Sequence, residues 1–448
     1  MTRALVVGAG MAGLVAARDL TAAGAEVVVL EATDISGGKL RAGQVAGVTV
    51  DVGAEAMLNR RPEGTALARD LGIALTHPTT ATSRVWTRGA LRRLPRTLMG
   101  APLDLDDLAA TGILGPDGLD RARHQVPQPL DGDVSDISVG DAVAARFGDE
   151  VVDRLVEPLL GGVYAGHARR LSLRAAVPQL ADLLGREEFT VPVPTGDLPP
   201  VFAGITGGMW QLPAAIEADL RERGAEIRHD TTVTAARRDG AGFVLTTSVG
   251  EERADLLVVA TPAAASARLL GDLAPAAAAE LAALDYASVA LVTLAFAADD
   301  PGVAEALDVG AAGFLVPPVD GRRIKASTFS FAKWDWVRDA GSGLLVLRTS
   351  LGRHGEEASL QVPDEDLVRA SLADLAEATG LTARPVDAVV QRWGGGLPQY
   401  RPGHLDAVAR IRASVAGVPG LAVCGAAYDG VGIPAVIASA RRAAAALL

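Results

Sequence analysis

Ala4-Leu5-Val6-Val7 runs directly into Gly8-Ala9-Gly10-Met11-Ala12-Gly13, and residues 14–23 then carry apolar side chains at helical spacing. A second apolar run, Val27-Val28-Val29-Leu30, ends at Glu31. The pattern reads as strand, glycine turn, helix, strand, acid. Gly8 permits the tight turn out of the strand. Gly10 has no side chain, so a pyrophosphate can approach the backbone. Gly13 lets the helix pack close to the sheet. Met11 and Ala12 open the helix, whose free N–H groups and positive dipole end favour phosphate. Glu31, roughly 20 residues on, can accept hydrogen bonds from an adenosine ribose and would repel a 2′-phosphate. Ala32 lies beside it.

The following residues select FAD among the dinucleotides. Gly37-Gly38-Lys39-Leu40-Arg41 is a second glycine pair with basic residues, placed to wrap the same cofactor from its other side. Val48-Thr49-Val50-Asp51-Val52 alternates like a strand and ends in the small-residue turn Gly53-Ala54-Glu55. A nicotinamide site does not need this second loop.

The chain has 448 residues, too many for one hydrophobic core, so two or three domains are expected. It is 49% hydrophobic and 21% charged, a globular mix. A net charge of -12 gives no general attraction for nucleic acid. Of the 42 basic residues all but Lys39, Lys325 and Lys333 are arginines, which reads as a coding bias. The single cysteine, Cys424, lies in an apolar run and reads as a buried thiol. The six histidines show no metal-ligand spacing, so no metal is expected. Neither a signal peptide nor an apolar stretch of membrane-spanning length is found, and a soluble cytoplasmic protein is expected.

The N-terminal strand–helix–strand unit needs more strands to complete a doubly wound sheet. Leu256-Leu257-Val258-Val259-Ala260 is an unbroken apolar run of the buried parallel type, followed by Thr261-Pro262. Residues 421–448 read as a strand, a glycine-rich turn and an alanine-rich helix. The expected fold class is α/β. A Rossmann-type FAD domain is made of residues 1–57, 205–265 and 388–448. A mixed-sheet α+β substrate domain covers 58–83, 176–204 and 266–387, and a helical subdomain covers 84–175. Within that subdomain Gly115-Pro116-Asp117-Gly118 and Pro127-Gln128-Pro129 read as loops. Further cofactor contacts are expected at Val233, Ala260 and Trp393.

At the other end, Cys424-Gly425-Ala426-Ala427-Tyr428-Asp429-Gly430-Val431-Gly432-Ile433-Pro434 ends a strand, turns through small residues and starts a helix with Pro434 in its first turn. Its N-terminus would face the pyrimidine end of the isoalloxazine. There the dipole favours negative charge on the reduced flavin. Gly425, Gly430, Val431, Gly432 and Ile433 are the expected contacts.

These pieces together resemble the bacterial protoporphyrinogen/coproporphyrinogen oxidase branch of the FAD amine-oxidase-like family. The matching segments are residues 8–17, Glu31 with Gly37-Gly38, residues 51–55, Asn59-Arg60-Arg61-Pro62-Glu63-Gly64, residues 161–178, residues 207–213, Val258 to Pro262, residues 393–404 and residues 425–434. They span nearly the whole chain. Ala435 and Ala440 depart from the family pattern, where Asp and Gly are frequent.

The resemblance implies a six-electron oxidation of a porphyrinogen to a porphyrin, with flavin as the hydride acceptor and O2 as the oxidant. It implies a wide apolar pocket and cations for the propionates. Arg61 is the first candidate, with Arg60, Lys325 and Lys333 behind it. The resemblance favours coproporphyrinogen III, with protoporphyrinogen IX as the alternative, and it implies product transfer to ferrochelatase. Arg88 to Met99 mixes basic and apolar residues, and a weak peripheral membrane contact is a further expectation. An amine oxidase, a carotenoid desaturase and a flavin-binding module without catalysis are the rival readings. The scarcity of aromatic residues weighs against an amine oxidase. The large regions outside the cofactor segments weigh against a mere binding module.

Overall fold

The computed structural model describes residues 2–127, 136–191 and 199–448. Of the loop expected at Pro127-Gln128-Pro129, Gln128 and Pro129 lie outside the described residues.

A five-stranded parallel sheet holds the cofactor half, in the order Glu226–Arg228, Glu26–Leu30, Arg3–Val7, Leu256–Val259, Leu421–Val423. Three segments far apart in the chain therefore meet in one sheet. Both of its faces are covered, which explains the unbroken apolar runs. Ala4, Val6, Val27, Val29 and Val258 face helices Met11–Ala22, Gln211–Glu222 and Ile433–Ala445. Leu5, Val7, Val28, Leu30, Leu257 and Val259 face the other way, against the three-stranded meander of residues 233–254 and the helices carrying Leu270 and Ile411.

A seven-stranded mixed sheet forms the second half, in the order Asp387–Pro398, Tyr286–Ala297, Leu344–Leu351, Ile324–Thr328, Ala311–Leu315, Thr82–Thr87, Ala90–Arg93. Two of its strands cross the expected domain limits. Thr82–Thr87 and Ala90–Arg93 form a hairpin at the sheet edge instead of opening a helical subdomain. Its turn is made by Arg88 and Gly89, both at positive φ, and Trp86 packs edge-on against Phe314 at 6.0 Å. The strand Asp387–Pro398 pairs with Tyr286–Ala297, so residues 388–398 extend this sheet and not the parallel one.

Helices Leu105–Thr111, Pro116–Arg123, Val139–Phe147, Glu157–Tyr164 and Pro178–Leu184 share a separate core with Leu155, Leu173 and Tyr400. Gly115-Pro116 starts a helix there and is not a loop, because Pro116 occupies its first turn and Glu150 accepts the Gly115 N–H. Arg146, fully buried, donates to the carbonyls of Leu184, Arg186 and Glu187 at and just beyond the end of Pro178–Leu184.

Candidate active site

The crevice begins at the first glycine turn. Gly8 has φ +102°, and a Cβ on Gly13 would overlap the Gly8 carbonyl and sit 3.3 Å from the Ala260 Cβ. Ala260 itself donates its N–H to Val7 O at 2.9 Å. Met11 and Ala12 are buried core residues of the helix. At Gly10 a Cβ would meet nothing within 4 Å. The protein leaves open the space that the glycine vacates.

Glu31 lies over this turn. Its Oε2 accepts the Ala9 N–H at 2.7 Å, and its Oε1 accepts from the Thr33 N–H at 2.9 Å. Ala32 is exposed beside it. Thr231 N donates to Glu31 O at 2.8 Å, which brings the strand starting at Val233 to the same rim.

The second loop lies on the first. Gly37 N donates to Ala9 O at 2.8 Å, and a Cβ on Gly38 would reach to 3.4 Å from the Gly10 Cα. Leu40 is buried in the core below. Ala54 N donates to Lys39 O at 3.1 Å, while a Cβ on Gly53 would overlap that same oxygen and lie 3.3 Å from the Trp393 ring. The Trp393 indole in turn donates to Val52 O at 3.0 Å.

Lys39 is half-buried. Burial pulls its ammonium pKa down. Among the described residues its side chain has no hydrogen bond or ion pair. A desolvated cation without a counter-charge, beside an open glycine and a helix N-terminus that no side chain caps, fits the diphosphate of a dinucleotide.

The C-terminal turn closes the crevice from behind. A Cβ on Gly425 would lie 4.0 Å from the Ala12 Cβ, so the C-terminal turn packs on the first turn of the N-terminal helix. Gly430 has φ +132°, Gly432 is exposed and precedes the helix Ile433–Ala445, and among the described residues no side chain caps that helix. Ile433 is buried, while Val431 packs on the helical core. Asp429 accepts from Arg412 at 2.6 Å and is paired with Arg442 at 2.8 Å, which fixes the turn from outside. Cys424 is fully buried, and burial pushes its thiol up to about 12.

Other residues picked out in the sequence serve the interface between the sheets. Glu55 is not open to a cofactor, because its carboxylate is buried between Lys333 at 2.6 Å and Arg348 at 3.1 Å. Burial alone would raise this acid, but the Arg348 and Lys333 charges outweigh it and hold the carboxyl at about 2. Lys333 is thereby spent on Glu55 and packs over Phe202 and Trp334. It is not a free cation for a propionate. Lys325 is buried against the Ser350 hydroxyl, and burial next to Arg353 lowers its ammonium to about 7.

Arg61 is part-exposed and pairs with Glu63 at 2.6 Å, at the start of helix Pro62–Asp70. Arg60 is exposed, with no partner among the described residues. The arginines of 88–99 are engaged internally. Arg88 meets Glu150, Arg92 donates to Thr87 O, Arg93 meets Asp107 and Arg96 donates to Val191 O. That removes the free charge on which a membrane contact there would depend.

Two features escaped the sequence reading. Asp51 accepts the N–H groups of Met209 at 2.8 Å and Trp210 at 3.1 Å, tying the second loop to the helix Gln211–Glu222. Its burial raises the carboxyl to about 6 against those hydrogen bonds. Arg84, half-buried on the strand Thr82–Thr87, lacks a partner among the described residues. Neither has a local sequence signal, because both depend on what the fold brings near.

A doubly covered parallel sheet with uncapped helix N-termini and glycine turns from both chain ends defines a dinucleotide-dependent oxidoreductase. The chain belongs to the flavin containing amine oxidoreductase family, whose model matches residues 11–448. It is an enzyme, and its cofactor is FAD. The chain is 36% identical to the coproporphyrinogen III oxidase of Mycobacterium tuberculosis over 98% of its length and 95% of that protein. It is 29% identical to the coproporphyrinogen III oxidase of Bacillus subtilis, covering 96% of this chain and 94% of that one. A crystal structure from Exiguobacterium, provisionally assigned as a protoporphyrinogen oxidase, matches with TM-score 0.88 and 31% identity over 100% of this chain and 98% of the other. Cyclohexylamine oxidase from Brevibacterium oxydans, at TM-score 0.73 and 18% identity over 100% and 98% of the two chains, shares the fold.

Proposed function

We propose that the enzyme oxidises coproporphyrinogen III to coproporphyrin III in haem biosynthesis, with O2 as the final acceptor. The observation that carries this reading is the end-to-end likeness to the Mycobacterium tuberculosis protein, 36% identical over 98% of the chain. FAD bound in the crevice would supply the redox chemistry, three two-electron oxidations with O2 as the terminal oxidant and one H2O2 formed in each.

The chain's own task is placement. Gly10 and Lys39 hold the diphosphate, Glu31 the ribose, and Gly430 to Ile433 the redox end. Helix Glu157–Tyr164 exposes Gly162 and Val163, and a Cβ on Gly162 would lie 3.6 Å from the Leu315 side chain of the seven-stranded sheet. This small-residue wall suits a flat macrocycle. Arg61 and Arg60 supply charge for the propionates. The cytoplasm is the site of action, and product passes to ferrochelatase.

A second reading, an amine oxidase, needs aromatic rings free at the flavin. Here Tyr164, Tyr400 and Tyr428 are buried, and the Tyr286 hydroxyl accepts the Ala263 N–H at 3.0 Å.

The test is anaerobic mixing of the yellow holoenzyme with coproporphyrinogen III, then with protoporphyrinogen IX. Bleaching of the flavin by the former, and red fluorescence on admitting air, is the expected result. No bleaching, or fluorescence no faster than autoxidation, defeats the reading. Arg61→Ala is expected to raise KM more than it lowers kcat; the reverse removes Arg61 from the binding role.

A further inference from the structure

The segment Leu397-Pro398-Gln399-Tyr400-Arg401-Pro402-Gly403-His404 lies between helix Glu157–Tyr164 and the C-terminal glycine turn. Gln399 donates from Nε2 to Tyr164 O at 2.8 Å, holding the end of helix Glu157–Tyr164. The next residue reaches the other way, where the Tyr400 hydroxyl donates to the Ala426 carbonyl inside the C-terminal glycine turn. Tyr400 O accepts from Ser172 N at 2.7 Å. Its ring stacks on His404 at 4.1 Å and meets Tyr164 edge-on at 5.6 Å.

The ring is 1% exposed. Filling this space needs only an aromatic ring, and phenylalanine would supply one. A buried phenol must find an acceptor, and here the acceptor is the backbone of the turn that closes the cofactor crevice. Burial, with Tyr164 and Tyr286 nearby, pushes the phenol well above its ordinary pKa, so it remains a protonated donor. Asp429 in the same turn is also held, by Arg412 and Arg442.

We propose that Tyr400 is a positioning residue: its hydroxyl fixes the Ala426 end of the cofactor turn relative to the helix against which the substrate rests. The substrate half of this statement rests on the function proposed above.

Tyr400→Phe in the FAD-loaded enzyme removes one hydroxyl and keeps the ring. The visible circular dichroism of the bound flavin, recorded without substrate, is expected to change. Flavin reduction at saturating coproporphyrinogen III is expected to slow about tenfold, the scale of one buried hydrogen bond, with KM within about twofold of wild type. A dichroism spectrum and rate matching wild type overturn the proposal, as does a loss confined to KM. Should Tyr400→Phe fail to hold flavin, Gln399→Leu decides. It cuts the tie to Tyr164 and leaves the hydroxyl bond, so the dichroism should stay while the rate falls; a wild-type rate overturns the proposal. A wild-type enzyme that coproporphyrinogen III does not reduce would overturn the function instead, and the dichroism comparison would still judge the turn.

Discussion

At the cofactor crevice the chain approaches itself through glycines and leaves a cation, Lys39, without a counter-charge among the described residues. At the interface between the two sheets more charge is buried, but it is neutralised internally: Glu55 takes both Lys333 and Arg348. The two regions look alike in sequence, since each offers small residues, an acid and a lysine. They differ in what the fold does with the charge. A buried ion pair closed on itself is part of the scaffold, whereas an ammonium left open beside uncapped helix N–H groups is a demand for a ligand.

The glycines of the crevice give the sharpest way to break this contrast. Gly13→Ala places a methyl group into the Gly8 carbonyl and against Ala260, so the helix cannot stay where it is. The expected outcome is loss of both folded protein and flavin, seen by far-UV circular dichroism and absorbance. Gly10→Ala tests the other half of the idea, because its methyl group meets nothing within 4 Å among the described residues. That variant should melt near wild type yet bind FAD at least about tenfold more weakly, a difference of about 1.4 kcal/mol. Wild-type flavin affinity in Gly10→Ala would mean that the space beside Gly10 does not receive the pyrophosphate.

Lys333→Met probes the closed pair. It leaves Glu55 buried with only Arg348 beside it, so the cost stays below the about 3–5 kcal/mol of a buried charge stripped of every partner. Glu55 has its carboxyl depressed to about 2 from 4.5, so its contribution is complete above pH 4.5 and lost as pH falls through 2. In the variant the acid loses one of its two cations and protonates at higher pH, so the acid limb of the unfolding curve should move upward. Its KM for the porphyrinogen should stay near wild type. A stability equal to wild type with a raised KM would return Lys333 to the substrate.

The contrast also explains what could be read in the sequence. The fingerprint, Glu31, the second glycine loop and the turn before Pro434 are backbone features, set by residues adjacent in the chain. Their geometry is local, and so is their signal. The assembly of the parallel sheet from three segments followed from unbroken apolar runs that only a sheet buried on both faces requires. The hairpin of Thr82–Thr87 and Ala90–Arg93 lies mostly inside the span expected to be helical, and nothing local marks it: its pairing depends on Ala311–Leu315, and its Arg92 is consumed by the Thr87 and Thr111 carbonyls. The roles of Lys325, Lys333 and Glu55 could not be read at all. Whether a lysine is free depends on an acid 278 residues away in the chain.

His404 is a residue that neither region uses as a charge. It is 4% exposed and stacked on Tyr400, and neither ring nitrogen has a partner among the described residues. Burial lowers the imidazole from 6.5 to about 4, against the pull of Asp136 and Asp429. The folded protein therefore holds His404 neutral, while the unfolded chain takes up a proton near pH 6.5. Its contribution is complete above pH 6.5 and is lost as pH falls toward 4, by at most about 3 kcal/mol. His404→Phe keeps the stack on Tyr400 and has no proton to exclude. Denaturant unfolding at several pH values between 4 and 7 should give a shallower loss of stability in the variant than in wild type. Parallel slopes would mean that the folded protein accepts the His404 proton as readily as the unfolded chain does, and that the stack is open to water.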